Sequence, residues 1–270
     1  NESLERFFSS TLKSKEESLT DREKDEINNL AKALKARQEA VDDVEILPKV
    51  TIQDIPLKRE YTQQSFLKNN RSIYEVGTNG LMYSEFLFPC KDLTSQELLF
   101  SSLYTFVLTE VGTQESSYEE IQALQSSLTG GMNASFKLHT NSIDKRGKLF
   151  LSIASKSLEG NFNAMEKLIL NTLQNARFDE ESRLWDLFNI FIARNEESLN
   201  QNGHLLAMGS AASSLNKFSS TSFQMSGLKM LHHSKAAISA IKNISDIHEL
   251  IHTLKNIHLK IISNPFKIFT

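Results

Sequence analysis

The apolar residues of this chain change their spacing once, and that change constrains the fold more than any motif does. From Leu4 to Val41 they recur at helical intervals among charges: Leu4, Phe7, Phe8 and Leu12, then Ile27, Leu30, Leu34 and Val41. Thr20-Asp21-Arg22-Glu23 has the form of a capping box and marks the start of the second stripe. Neither stripe is wide enough to bury much by itself, so residues 1–43 read as a charged helical hairpin packed on a larger body, the alternative being a solvated, partly disordered arm. Pro48 and Pro56 bracket an extended crossing segment, since the residue before a proline avoids the helical region. Beyond it the period drops to two. Met132, Ala134, Phe136 and Leu138 alternate with polar neighbours, as do Leu149, Leu151 and Ile153, so these are half-buried strands, paired across a loop near Asp144-Lys145-Arg146-Gly147.

Residues 71–76 and 81–88 are also strand-like. Thr78-Asn79-Gly80 between them predicts a tight turn and a hairpin. Residues 94–110 read as a helix stopped at Gly112, and 117–128 as another, closed by Thr129-Gly130-Gly131. Helical patterns then cover 162–174, 180–199, 204–215, 226–241 and 247–262, and Phe266-Lys267-Ile268-Phe269-Thr270 closes as a strand. This order predicts an α+β fold: a mostly antiparallel sheet with a helical layer on one face, preceded by the charged helical hairpin. The implied organisation is a helical hairpin over 1–45, a crossing segment over 46–70 and the α+β domain over 71–270. A chain that opens in a helix at Asn1 and closes in a strand at Thr270 is expected to be part of a longer one.

Composition excludes some functions. The formal charge is −3 over 270 residues, so the chain lacks the basic footprint of a nucleic-acid binder. No apolar run approaches the ~18 residues a membrane span requires. The single cysteine, Cys90, cannot form an internal disulfide, which fits a reducing compartment such as the cytoplasm or an organelle matrix.

The strongest chemical motif is His248-Glu249-Leu250-Ile251-His252, an H-E-x-x-H with His258 six residues further on. On a helix it would set His248 and His252 one turn apart as zinc ligands, with Glu249 as a general base. A hydrolytic zinc site also needs a third protein ligand. The pattern that recruits a later His requires a Gly at the eighth position to turn the chain, and here that position is Lys255. In an unbroken helix His258 lies ~9 Å along the axis from His252 and cannot share its metal. The alternative is an amphipathic helix with Ile244, Ile247, Ile251, Leu254, Ile257 and Ile261 buried and the three His on or beside the polar flank. Other chemical candidates are weaker. Cys90 has no partner base in view and reads as a buried thiol. His232 and His233 point ~100° apart on a helix and cannot chelate together. His204 reads as structural or capping. The paired acids Glu119-Glu120, Glu180-Glu181 and Glu196-Glu197 read as solvated helix faces.

An ordered set of short segments carries a resemblance. It comprises Val76-Gly77-Thr78-Asn79-Gly80-Leu81-Met82-Tyr83, Leu108-Thr109-Glu110-Val111-Gly112-Thr113, Leu128-Thr129-Gly130-Gly131-Met132, Asn202-Gly203-His204-Leu205-Leu206-Ala207 and Phe223-Gln224-Met225-Ser226-Gly227-Leu228. Together they resemble the presequence-protease branch of the pitrilysin/insulinase metallopeptidases. Members carry four homologous α+β domains, with a charged hairpin joining two halves that close around a peptide chamber. The resemblance implies that this chain corresponds to the end of that hairpin and the third domain. It further implies a parent that is a zinc metalloendopeptidase degrading peptides, whose H-x-x-E-H lies in its first domain. No H-x-x-E-H occurs here, so the resemblance implies no catalytic, cofactor-binding or metal-binding residue in this chain, and zinc only in the parent. The partners it implies are the remaining domains and, in the intact protein, a peptide substrate, with neither nucleic acid nor membrane. Cut from its neighbours, such a piece is expected to self-associate as a homodimer, through a bared apolar patch or an exposed edge of its terminal strand. Two other readings stay open: a free-standing zincin using His248, Glu249 and His252, and a helical scaffold that binds a partner protein through residues 1–43.

Overall fold

A computed structural model of the chain describes residues 2–41, 43, 47–58, 61–140, 147–242 and 244–270. These fall into two compact units, 1–60 and 61–270. The first holds helices α1 (Glu2–Ser18) and α2 (Asp21–Glu39). The capping box forms as the sequence indicated: Thr20 Oγ1 accepts from the Glu23 amide, and Glu23 reaches back to the Thr20 amide at 2.8 Å. Leu12, Ile27, Leu30 and Leu34 are all exposed, and α2 has no buried residue. The side chains of Leu4, Phe7 and Phe8 lie outside the described residues.

The second unit is α+β. Its six strands are β1 (Phe66–Lys68), β2 (Arg71–Ile73), β3 (Leu81–Pro89), β4 (Met132–Thr140), β5 (Gly147–Leu158) and β6 (Lys267–Phe269). They form one sheet in the order β1-β2-β6-β3-β5-β4, antiparallel throughout except for the β2–β6 pair. The β4–β5 pairing is as expected, with Phe136 opposite Leu151 and Ala134 opposite Ile153. The loop expected near Asp144-Lys145-Arg146 lies outside the described residues.

One expectation fails at the first hairpin. Asn79 and Gly80 do adopt positive φ, 55° and 82°, and the Leu81 amide donates to the Thr78 carbonyl at 3.2 Å, as a tight turn requires. Yet the strands on either side of that turn do not pair. The terminal strand β6 inserts between them, bonding β2 on one side and β3 on the other. The Ile268 amide donates to Asn70 O at 2.8 Å and the Thr270 amide to Ser72 O at 3.0 Å. The terminal strand is therefore interior, and the expectation that it exposes an edge is wrong. The short strand β1 went unread because Phe66-Leu67-Lys68 is too short to show a period.

Helices cover one face of the sheet. That face carries Ser84, Phe86 and Phe88 of β3 and their partners Ser155, Ile153 and Leu151 of β5. Helix α4 (Ser101–Leu108) brings Leu103, Tyr104, Val107 and Leu108 onto it, and α6 (Phe162–Asn175) brings Met165, Ile169 and Leu173. Around them pack α3 (Ser95–Leu99), α5 (Tyr118–Leu128), α7 (Glu181–Ala212), α8 (Lys217–Ser226), α9 (Leu228–Ser239) and α10 (His248–Ile262). Each fully buried Leu, Ile or Phe contributes roughly 1.5–3 kcal/mol. Three helix boundaries differ from the periodicity. The expected 94–110 helix breaks at Phe100, where φ is −100° and ψ 2°. The segments 180–199 and 204–215 join into α7 across a kink at Asn202. The 226–241 pattern begins only at Leu228, because Gly227 is extended and separates α8 from α9.

Candidate functional site

Helix α10 starts at His248 and runs without a break through Lys255 to Ile262. Leu250, Ile251, Leu254, Ile257 and Ile261 fill its buried side. His248, Glu249 and His252 stand exposed. His248 Nε2 lies 3.6 Å from Glu181 Oε1, and His252 Nδ1 lies 3.2 Å from the Asn256 side-chain nitrogen.

His258 is not on the polar flank where the periodicity put it. It is 6 % exposed, inside the core. Its Nδ1 sits 2.9 Å from the Tyr104 hydroxyl, and its ring lies 5.3 Å from that of Phe178. Burial drives its pKa down to about 4, against the opposing pull of a hydrogen bond to the Leu173 backbone. A neutral imidazole can join the core because both ring nitrogens find partners there. The helical period was read correctly, but a polar residue on the buried arc is invisible to it when the partners are remote in sequence. The three His thus point in two directions, and two of them to solvent. Among the described residues no three His, Cys, Asp or Glu side chains converge on a metal position. The residues of the motif do not fit a hydrolytic zinc ion.

The remaining sequence candidates are tied up locally. Cys90 is buried, its thiol donating to Phe88 O at 3.4 Å, and burial pushes its pKa up to about 12, so it carries no thiolate at neutral pH. His232 is exposed while His233 packs 4.9 Å from Phe100. His204 follows the kink inside α7 rather than a helix start. Glu120 closes a capping box with Ser117. Glu180 accepts from the Gly112 amide at 3.4 Å, and Glu196 pairs with Lys235.

Two polar clusters escaped the sequence reading. Glu166 of α6 takes a bidentate ion pair from Arg71, at 2.8 and 2.6 Å, and a hydrogen bond from Ser84 at 2.7 Å. Arg71 also donates to Thr270 Oγ1 at 2.8 Å. On the opposite sheet face Glu85 accepts from Lys137 and from Ser152, each at 2.5 Å. Burial would raise the Glu85 pKa, but these two donors prevail and hold it below the usual carboxylate value. Their members are separated by 52 to 199 positions, so no local pattern could announce them. A charged residue at an inward strand position, Arg71 opposite Ile268, was the one available sign. These bonds hold the elements together: β2 and β3 to α6 through Glu166, and β3 to β4 and β5 through Glu85. A cavity of about 250 Å³ beside β4 is lined by Ser101, Ser102, Thr105 and Ser226, but their hydroxyls donate to Leu98, Met225, Ser102 and Ser222 carbonyls. Four of the five hydroxyls lining it, Ser222 being the fifth, thus donate to backbone carbonyls.

Against this geometry stand the comparisons with known proteins. Residues 1–236 match the model of the family described as associated with the peptidases of family M16, subfamily C. The presequence protease, mitochondrial, of Schizosaccharomyces pombe is 24 % identical over 221 residues, covering 80 % of this chain and 22 % of its own length. That of Debaryomyces hansenii is 27 % identical over 250 residues, covering 90 % and 23 %. Presequence protease 1, chloroplastic/mitochondrial, of Arabidopsis thaliana is 27 % identical, covering 79 % and 20 %. The chain therefore spans about a fifth to a quarter of the length of these relatives.

Proposed function

Because this chain belongs to the family associated with the subfamily C peptidases, we propose that it is a non-catalytic part of a larger zinc metallopeptidase that degrades peptides. In that reading residues 1–45 are the end of a linker hairpin, 46–70 cross over, and 71–270 form a domain of the chamber-building half. The zinc ion and its ligands belong to another part of the parent, and the partners of this chain are the parent's remaining domains and the peptide they enclose. The names of the relatives point to an organelle matrix as its compartment. The family match carries the reading. The geometry of α10 supports it, since a metal-binding H-E-x-x-H needs a third ligand and His258, the nearest candidate, is held in the core by Tyr104.

The test is zinc content after dialysis, together with cleavage of a fluorogenic peptide. We expect less than a tenth of an equivalent of zinc, on the order of contamination, and no turnover, because two exposed imidazoles make a weak and open site. One zinc per chain, lost with activity in His252→Ala, would overturn the reading and restore the free-standing zincin.

A further inference from the structure

Asn-Gly occurs twice in the chain, at 79–80 and at 202–203. In this dipeptide the asparagine carboxamide is least shielded from the next backbone nitrogen, because glycine has no side chain to stand in the way. The structure gives the two steps opposite settings. Asn79 and Gly80 are exposed, with φ of 55° and 82°. Only the Leu81 amide, donating to Thr78 O at 3.2 Å, closes the turn. None of the amides of residues 76–80 meets an acceptor among the described residues, and the Asn79 carboxamide has no partner there either. A Cβ on Gly80 would touch nothing within 4 Å, so its surroundings are open. A hairpin ladder would clamp such a turn from both sides, but here β6 lies between β2 and β3 and that ladder is missing.

We propose that Asn79 is a site of spontaneous self-modification, at which the Gly80 nitrogen closes a succinimide ring on the Asn79 side chain. The Gly80 N–H first gives its proton to hydroxide, and the nitrogen attacks Asn79 Cγ. The Cγ–Nδ2 bond then breaks, and ammonia leaves with a proton taken from water. Water opens the ring in a second step. Cleavage between the nitrogen and Cγ leaves an aspartyl residue at position 79. Cleavage between the nitrogen and the main-chain carbonyl leaves isoaspartyl, with one extra carbon in the backbone. Either product adds a negative charge to the chain. The turn is already set for ring closure at one of its angles. The ring holds ψ of residue 79 near about −120°, which with a positive φ is the first central position of a type II′ turn. A type I′ turn has the same φ there and differs by a flip of the peptide between its two central residues, which reverses the sign of the second φ. Gly80 accepts either sign, and the bond from Leu81 to Thr78 survives the flip. Asn202 is placed otherwise. Its φ is −111° and its ψ 16°, inside the continuous α7, so bringing ψ to the ring value would break the helix.

The test is incubation of the 270-residue chain in mildly alkaline buffer at physiological temperature, folded and in concentrated urea. Peptide mass spectrometry then follows both sites, and methyl transfer from S-adenosylmethionine by an isoaspartyl carboxyl methyltransferase reports the isoaspartyl product. In the folded chain residue 79 should convert roughly tenfold or more faster than residue 202, whose helix must open first. In urea, where neither turn nor helix persists, the two should differ by less than about threefold. Asn79→Gly keeps the positive φ and removes the carboxamide, so it should remove most of the methyl acceptance at an unchanged melting temperature. A folded chain in which Asn79 stays intact while the unfolded one converts overturns the proposal. So does one in which Asn202 reacts as fast, or in which Asn79→Gly leaves methyl acceptance unchanged.

Discussion

Asn79 and Gly80 hold consecutive positive φ angles, a geometry open to Asn and Gly and closed to β-branched side chains. A Cβ on Gly80 would meet nothing within 4 Å, so the cost of replacing it is conformational rather than steric crowding. Gly80→Val should destabilise the second unit by roughly 1 kcal/mol or more, read as a lower urea midpoint, and Gly80→Asn by clearly less. The turn was legible because its requirement is local. His258 was not, because its burial depends on Tyr104 and Leu173, far away in the chain. Its depressed pKa makes a pH prediction. The unfolded His binds its proton near pH 6.5 and the folded one only near 4, so the unfolded state holds more protons in between, and stability falls as pH drops through that window. The loss from pH 7 to below 4 is on the order of 3 kcal/mol. Glu85 and Glu97, held below their usual values, add losses of the same sign at lower pH. The difference between the parent chain and His258→Gln isolates the imidazole: the variant should be less stable at pH 7 and should lose less between pH 6.5 and 4.5. Parallel curves for the two proteins would show that His258 is not the titrating group.

Among the elements, β6 does the most with the fewest residues. Three residues separate β2 from β3 and bond to both, so the sheet is joined through the end of the chain. Its insertion is what the sequence hid. The Asn79-Gly80 turn is compatible with a simple hairpin, and nothing within ten residues of it says that a segment almost two hundred positions later will occupy the gap. The strands themselves were readable from their alternation; the order in which they lie was not. The Arg71–Glu166 pair shows how that junction is secured. It ties β2 to α6, takes in Ser84 of β3 and reaches Thr270 just after β6. The side chains are 26 % and 13 % exposed, so breaking one partner strands a charge that is only partly solvated. Glu166→Met should cost about 1–3 kcal/mol, and Arg71→Met a similar amount, while the two changes combined should cost less than the sum, because the double variant leaves no orphan charge. Chemical unfolding of the four proteins closes the cycle. Additive losses would mean that the pair is not coupled in solution.

For the molecule as a whole, the division between residues 1–60 and 61–270 decides where stability resides. Every buried apolar side chain among the described residues lies between Phe86 and Ile268. Helix α2 buries none, and what orders it is local: the Thr20–Glu23 box and the exposed i,i+4 pairs Arg22–Glu26 and Lys35–Glu39. Such pairs are worth a few tenths of a kcal/mol each, and most helical stability in proteins comes from packing an amphipathic face, of which α2 buries no residue. The thin apolar stripes of the first forty residues said that neither helix could bury much alone. Residues 61–270 expressed alone should therefore melt within about 2 °C of the full chain, in one cooperative transition. A peptide of residues 1–60 should show circular dichroism well below that of its two full helices, rising in trifluoroethanol. A fall of more than about 5 °C on removing residues 1–60 would correspond to roughly 1–2 kcal/mol of lost burial. The first unit would then have to be covering apolar surface of the second in solution, and the stability of the domain could no longer be attributed to its own core.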